Sequence, residues 1–582
     1  MTQAVRLVGG TVFDGTGTPG RLLDVQIRPG APLALLDPRT PRTEGTTELD
    51  ARGCWVMPGF IDNHTHYDAE LEVSPGLSES VRHGVTTVTI GSCGLGLAAG
   101  EPEALADMFC RVEGVPRDRV LPLLERVKDW DTPRAYLEHL DRLALGPNLT
   151  VLLGHSTLRA HVMGLARSLD RTVRPSRAEL RRMGQVLEEA LDAGFLGLSV
   201  NTLKWDKMDG ERFRSLPTPS TCARWSELRH LNRILRRRNR IWQGVPDIST
   251  KLNLLLFLAE SSGLGFRKSL KTAVISMVDA KASRPALWLA GTLSHLFNRL
   301  LRADFRFQSL PNVFDFWVEG IDVPVFEEFG AGTAALHVQD PAARANLLRD
   351  PGYRKRFKRE WGSQIWGRAY HRDLRETRIV SCPDHSLEGR SFGEVAERRG
   401  LHPVDAFLDL VADYGERLRW YTVLGNDRPA WLRWIVGHPS VQLGFSDAGA
   451  HLRNMAHYNF PLRFLKMVHD GHRQGRPPMP IERAIYRLTK EIGAWLGIDA
   501  GVLASGGRAD VAVIDPRGLD DEVEALHEAP MQGFEDLNRL VRRNPRAVPA
   551  VFVNGRLAAR HGEPVPSLGQ HAGFGQVLRP TS

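Results

Sequence analysis

Two hydrophobic patterns divide this chain. From residue 4 to 56, apolar and polar positions alternate over short runs broken by Gly-Gly and Pro-Gly, as in VRLVGGTVFDG, LLDVQIRPG and TTELDARGCWVMPG. Alternation between turn residues predicts short strands. The texture returns in ADVAVIDPRG and in AVPAVFVNGRLA, where Asn554-Gly555 marks a hairpin. One small discontinuous β-sandwich, built from residues 1–56 and 501–582, is therefore expected. Between them, short unbroken apolar runs (GVTTVTIGSCG, LTVLLGHST, FLGLSVN, RIWQGVP, KTAVISMVD, FRFQSL, VQLGFSD) alternate with helical stretches. Strands buried on both faces and separated by helices predict a parallel sheet. At this length the α/β solution is a TIM-type (β/α)8 barrel over residues 57–500. The segments around 250–310 and 340–375 exceed what barrel loops need. They are expected to form insertions over the rim, within 205–375.

Composition changes this picture little. The 582 residues are 42% hydrophobic and 25% charged, which excludes a disordered or fibrous chain. Lys and Arg exceed Asp and Glu by 76 − 68 = 8. The one dense basic run, Arg233 to Arg240, falls on an amphipathic helix and reads as a solvated face, so no nucleic-acid partner is expected. Five unclustered cysteines argue against a disulfide framework. With no apolar signal near the start and no span-length apolar run, a cytoplasmic protein without membrane contact is expected.

The chemistry gathers where the strands end, the rim on which barrels place reactive groups. His64 and His66 follow the first strand in PGFIDNHTHYDAE, spaced so that both imidazoles face one side. Cys93 follows VTI, His155 follows VLL and Asp447 follows LGF. On its own a His-x-His pair is as compatible with hydrogen-bonded loop histidines as with half a metal site, and a lone cysteine with a small buried apolar residue.

Taken together, PGFIDNHTHYDAE, HGVTTVTIGSCG, LLGHSTLRAHVMG, GFSDAGAH, ASGGRADVAVIDP and VFVNGRLA resemble the metal-dependent amidohydrolase superfamily, in its N-acyl-D-amino-acid deacylase branch. The resemblance implies a metal-bearing barrel beside a small β-sandwich. It also implies hydrolysis of a small-molecule amide, the non-peptide amide of an N-acyl amino acid, by metal-activated water. It assigns His64, His66, Cys93 and Asp447 to the metal, with Asp447 also shuttling the proton. His155 and Arg159 become a pair that either faces the substrate, with Arg159 holding a substrate carboxylate, or supports the site from behind the ligands. His451 is a weaker supporting candidate, and His83 is structural. One departure stands out. Members with a full site bring histidines from the fifth and sixth strands, and the corresponding segments here, Arg240–Val245 and Ala273–Asp279, contain none. Gln243 takes the fifth-strand position, as a substrate-side group or an indifferent ligand. His230 and His295 fall in helical stretches, and Lys204 is a minor candidate for a carboxylated lysine. The set suffices for one Zn2+, with a second ion left open. A cyclic-amide substrate, a catalytically silent barrel used for binding, and a homo-oligomer also stay open.

Overall fold

The computed structural model describes residues 4–248, 250–264, 268–363 and 368–581. Eight parallel strands form its centre: β1 (Phe60–Asp62), β2 (Val85–Ile90), β3 (Asn148–Gly154), β4 (Gly197–Asn201), β5 (Ile241–Val245), β6 (Lys271–Ile275), β7 (Asp304–Gln308) and β8 (Val441–Gln442). They pair in sequence order from β1 to β8. The ring closes between the two ends: Asn63 N donates to Gly444 O at 2.9 Å, Asp447 N to His64 O at 3.2 Å and His66 N to Ala448 O at 2.8 Å. Closure is therefore made by the segments that carry the candidate ligands. The helices that matter below are α1 (Pro102–Glu113), α2 (His155–Met163), α3 (Arg177–Ala193), α4 (Trp225–Arg237), α5 (Lys251–Ser261) and α6 (Arg284–Leu300). Every residue of β2, β3, β4 and β5 is buried, as their β-branched and apolar runs require.

The termini build one mixed sheet of nine strands. Val5–Val12 pairs with Trp55–Pro58, which pairs in turn with Val511–Ile514 and, beyond it, Ala550–Val553. Asn554 and Gly555, at φ 48° and 75°, make the hairpin turn. The chain leaves this sheet for β1 at Gly59, where a Cβ would sit 2.1 Å from the Thr86 hydroxyl. Not all of 501–582 joins the layer. The hairpin His527–Met531 with Phe534–Val541 packs on the barrel instead, through Arg539 Nη1 on Glu70 Oε1 at 2.9 Å.

The expected insertions need correction. Residues 250–310 are no insertion: they are α5, β6, α6 and β7, two ordinary barrel units. The real insertion lies between β7 and β8. It holds a three-stranded antiparallel sheet (Phe314–Glu319, Arg419–Gly425, Arg378–Ser381) and helices including Pro341–Arg349 and Pro351–Gly362. It has its own apolar core around Phe326, Phe357, Phe407 and Trp420. In the basic run Arg233, Arg237 and Arg238 are exposed, Arg237 on Glu188 and Arg238 on Asp192 of α3, while Arg236 is buried. Among the described residues no helix is long and apolar enough to cross a membrane.

Candidate metal centre

Four of the residues singled out in the sequence converge. The Cys93 sulfur lies 3.3 Å from His64 Nε2 and 3.7 Å from His66 Nε2. One donor atom from each falls within 4.8 Å of the others, and no other such trio of His, Cys, Asp or Glu occurs among the described residues. Asp447 Oδ1 completes the approach, 3.6 Å from His64 Nε2 and 3.2 Å from His66 Nε2. Its side chain keeps 17% exposure while both imidazoles are buried, so the carboxylate is the member that solvent or a substrate can meet.

The backbone is bent to deliver these groups. Cys93 and Asp447 adopt φ 55° and 58°, left-handed conformations that cost a side-chain-bearing residue about 1–2 kcal/mol each. Gly91 and Gly94 flank the thiol at φ 74° and 73°. At Gly91 no Cβ fits, since Leu152 O would be 2.1 Å away.

Each imidazole has its far nitrogen facing a protein oxygen. Gln308, at the end of β7, donates from Nε2 to Asn63 O at 2.9 Å, which turns its Oε1 toward His64 Nδ1, also at 2.9 Å. Gln308 Oε1 stands nearer to Nδ1 than the Gln243 amide nitrogen, which lies 3.3 Å away, and so favours the tautomer with the proton on Nδ1 and the lone pair on Nε2. His66 Nδ1 lies 3.1 Å from Glu113 Oε1, the last residue of α1. That contact is an ion pair without hydrogen-bond geometry; a metal-bound histidine usually has a carboxylate or carbonyl beside the nitrogen it does not present. Glu113 and Gln308 belong to no motif. Glu113 did leave one signal: an acid in the last turn faces the negative end of the helix dipole, an unfavourable place unless a cationic partner holds it.

Burial lowers His64 to about 4 and raises the Cys93 thiol to about 12. Burial also opposes charge on His66, but Glu113, Cys93 and Asp447 outweigh it and hold the imidazole well above its ordinary value. Asp447 is held below the carboxylate range, against burial, by His66 and His64. Burial lifts the nearby acids Glu113, Asp68 and Asp206 to about 8, 6 and 6. A thiol raised that far becomes a thiolate only beside a strong positive charge, which a coordinated cation supplies. Two imidazoles and a thiolate suit Zn2+, so this donor set fits the implied metal.

The other candidates are placed differently. Arg159 is buried, and its Nε donates to Glu227 Oε1 of α4 at 3.0 Å. His155 points Nε2 at the same oxygen, 3.1 Å away, and Nδ1 at Ser220 Oγ, also 3.1 Å. The pair thus meets on Glu227, and the guanidinium expected for a substrate carboxylate is already neutralised. Gln243 is taken at both ends of its amide: Oε1 accepts from Cys93 N at 3.1 Å and Nε2 donates to Ser92 Oγ at 3.2 Å. It braces the Cys93 loop. Lys204 forms an ion pair with Asp247 at 3.1 Å. His451 is tied to the α1 end, its N donating to Glu113 O at 2.6 Å, and His83 lies buried 3.6 Å from Glu79. His230 sits on α4 and His295 on α6, neither at a strand end.

A cavity of about 360 Å³ lies beyond the end of α1, with walls that include Gly114, Trp205, Asp206, Lys207, Glu327 and Asn454 and none of the four clustered residues. Among the described residues Lys207 makes no ion pair, and burial lowers its ammonium pKa.

Comparison with known proteins agrees with this geometry. The model of the amidohydrolase family matches residues 47–224. An uncharacterized protein of Mycobacterium tuberculosis is 48% identical over 570 residues, 97% of this chain and 93% of its own length. An N-acyl-D-aspartate deacylase of Alcaligenes xylosoxydans xylosoxydans is 36% identical over 197 residues, 34% of this chain and 36% of its own. In fold, the chain resembles the crystal structure of an N-acyl-D-glutamate deacylase from Bordetella bronchiseptica complexed with zinc and a phosphonate inhibitor. That match has a TM-score of 0.60 at 22% identity and covers 100% of both chains.

Proposed function

The chain belongs to the amidohydrolase family, and from that premise we propose that it is a zinc-dependent hydrolase cleaving the amide of an N-acyl amino acid. The observation that carries the reading is the convergence of His64, His66 and Cys93 within 4.8 Å, with Asp447 Oδ1 against both imidazoles. His64, His66 and Cys93 would hold one ion, and Asp447 would be its fourth, more open neighbour. Such an ion supplies a Lewis acid for the amide carbonyl and a water acidic enough to attack near neutral pH. Everything else falls to side chains. Glu113 and Gln308 keep the two imidazoles in one tautomer and orientation. Asp447, ionised and partly open, takes the proton of the attacking water and returns it to the leaving nitrogen. Lys207 offers the unpaired cation that a substrate carboxylate needs, a role Arg159 cannot fill while Glu227 holds it.

A second ion has little to bind it. The fifth- and seventh-strand side chains facing the cluster are amides, Gln243 and Gln308, and both are spent on protein partners. The test is a panel of N-acyl D- and L-amino acids assayed before and after chelation, together with Asp447→Asn. The variant is expected to retain zinc and lose at least about 100-fold in kcat. Full activity in Asp447→Asn would remove that carboxylate from the chemistry. Activity that survives complete chelation would remove the metal.

A further inference from the structure

We propose that the outer faces of α5 and α6 form the interface of a homodimer. Among the described residues twelve large apolar side chains are exposed, and eight of them fall between Ile248 and Leu300. Six lie on these two helices: Leu252 and Leu255 on α5, and Trp288, Leu289, Leu296 and Leu300 on α6, with exposures from 38% to 66%. Both helices already spend another face on the barrel, through Phe257 and Leu258 of α5 and Leu287 and Gly291 of α6. They are therefore apolar on two sides, and a barrel helix that met only water outside would carry polar residues there.

The helices run side by side, and their C-terminal ends are tied by Gly263 N donating to Leu301 O at 3.0 Å. The outward leucines and the tryptophan thus form one patch. From their exposures the six residues leave roughly 600 Å² of mostly apolar surface, at the top of the 300–600 Å² typical of the largest patch on a monomer. It approaches the roughly 800 Å² that each partner contributes to a standard interface. Of the charged groups nearby, Glu260 is turned onto Arg229 and Arg284 onto Asp279 and Asp427, while exposed His295 and Arg299 stand beside Leu296 and Leu300.

These features select a second copy of the chain as the occupant. A largely apolar face without an acidic group of its own among the described exposed residues, and of an area near what one partner gives to a standard interface, is matched by the same face of a second copy about a two-fold axis. At a net charge of +8, two copies repel over most of their surfaces, so contact is cheapest where charge is sparsest. Trp288, 59% exposed near the start of α6, is the residue type that dominates interface energetics.

Sedimentation velocity and light scattering on the full chain test this, with Trp288→Glu, Leu300→Glu and, as an off-patch control, Leu401→Glu. Circular dichroism and zinc content would report on folding. The wild type and the control are expected at twice 64.9 kDa, and the two patch variants at 64.9 kDa or with a dissociation constant at least about 30-fold weaker. Should a patch variant not fold, Leu296→Cys supplies a milder probe, because all five native cysteines are buried. A short bis-maleimide is then expected to give a covalent dimer. A wild type that stays monomeric at tens of micromolar would overturn the proposal. So would a dimer untouched by both glutamates and not captured at position 296, or a monomer that instead sediments with phosphatidylcholine vesicles.

Discussion

Replacing Glu113 by Gln is the sharpest probe of how the candidate centre is held. Its carboxyl group meets His66 Nδ1 at 3.1 Å, and the two side chains are only 3% and 2% exposed, so water cannot take the place of the lost group. Gln keeps the shape and one acceptor oxygen, which confines the change to electrostatics and leaves the end of α1 intact. Removing an outer partner of a metal-bound histidine costs 10- to 100-fold in affinity, about 1.4–2.7 kcal/mol. Zinc affinity, measured by competition with a chromophoric chelator, is therefore expected to fall by that factor with little change in Tm. An affinity equal to wild type in the folded variant would show that Glu113 only fills space, and would remove one of the two supports assigned to the imidazoles.

Two further outcomes separate structure from chemistry elsewhere in the molecule. Arg159→Met leaves Glu227 without its guanidinium and is expected to cost about 3–5 kcal/mol of stability by chemical denaturation, with KM unchanged in the folded fraction. A raised KM with full stability would return Arg159 to the substrate. Glu79 is buried, yet His83, Arg82 and Arg539 overcome burial and depress its pKa. A depressed folded value gives stability that is present above the unfolded value of about 4.5 and lost as pH falls through the folded one. The Tm of the wild type is expected to fall more steeply below pH 4.5 than that of Glu79→Gln, and parallel curves would contradict the assignment.

The barrel was legible because its strands are buried on both faces, so VTTVTI and NLTVLLG stand out as unbroken apolar runs between helices. The 250–310 stretch misled for a physical reason. The outward faces of α5 and α6 carry Leu252, Leu255, Trp288 and Leu300, so the helices lack the polar side that marks an ordinary barrel helix. That His64, His66, Cys93 and Asp447 would come together was legible from motif and strand-end position. Their supports were not, because Glu113 and Gln308 reach the histidines from a helix end and from the seventh strand, contacts that only the closed barrel creates. Arg159 shows the converse, a choice between two roles that the sequence left open. Its position beside His155 was visible in the sequence, but the buried Glu227 that claims it lies 68 residues downstream on α4.

The central claim is that one ion sits between His64, His66 and Cys93. X-ray absorption at the zinc edge of the purified protein, beside Cys93→Ser, tests it most directly. One zinc per chain is expected, with a single sulfur neighbour at about 2.3 Å and two imidazole nitrogens at about 2.0–2.1 Å, the sulfur shell vanishing in the variant. A wild-type spectrum with nitrogen and oxygen neighbours only would contradict it.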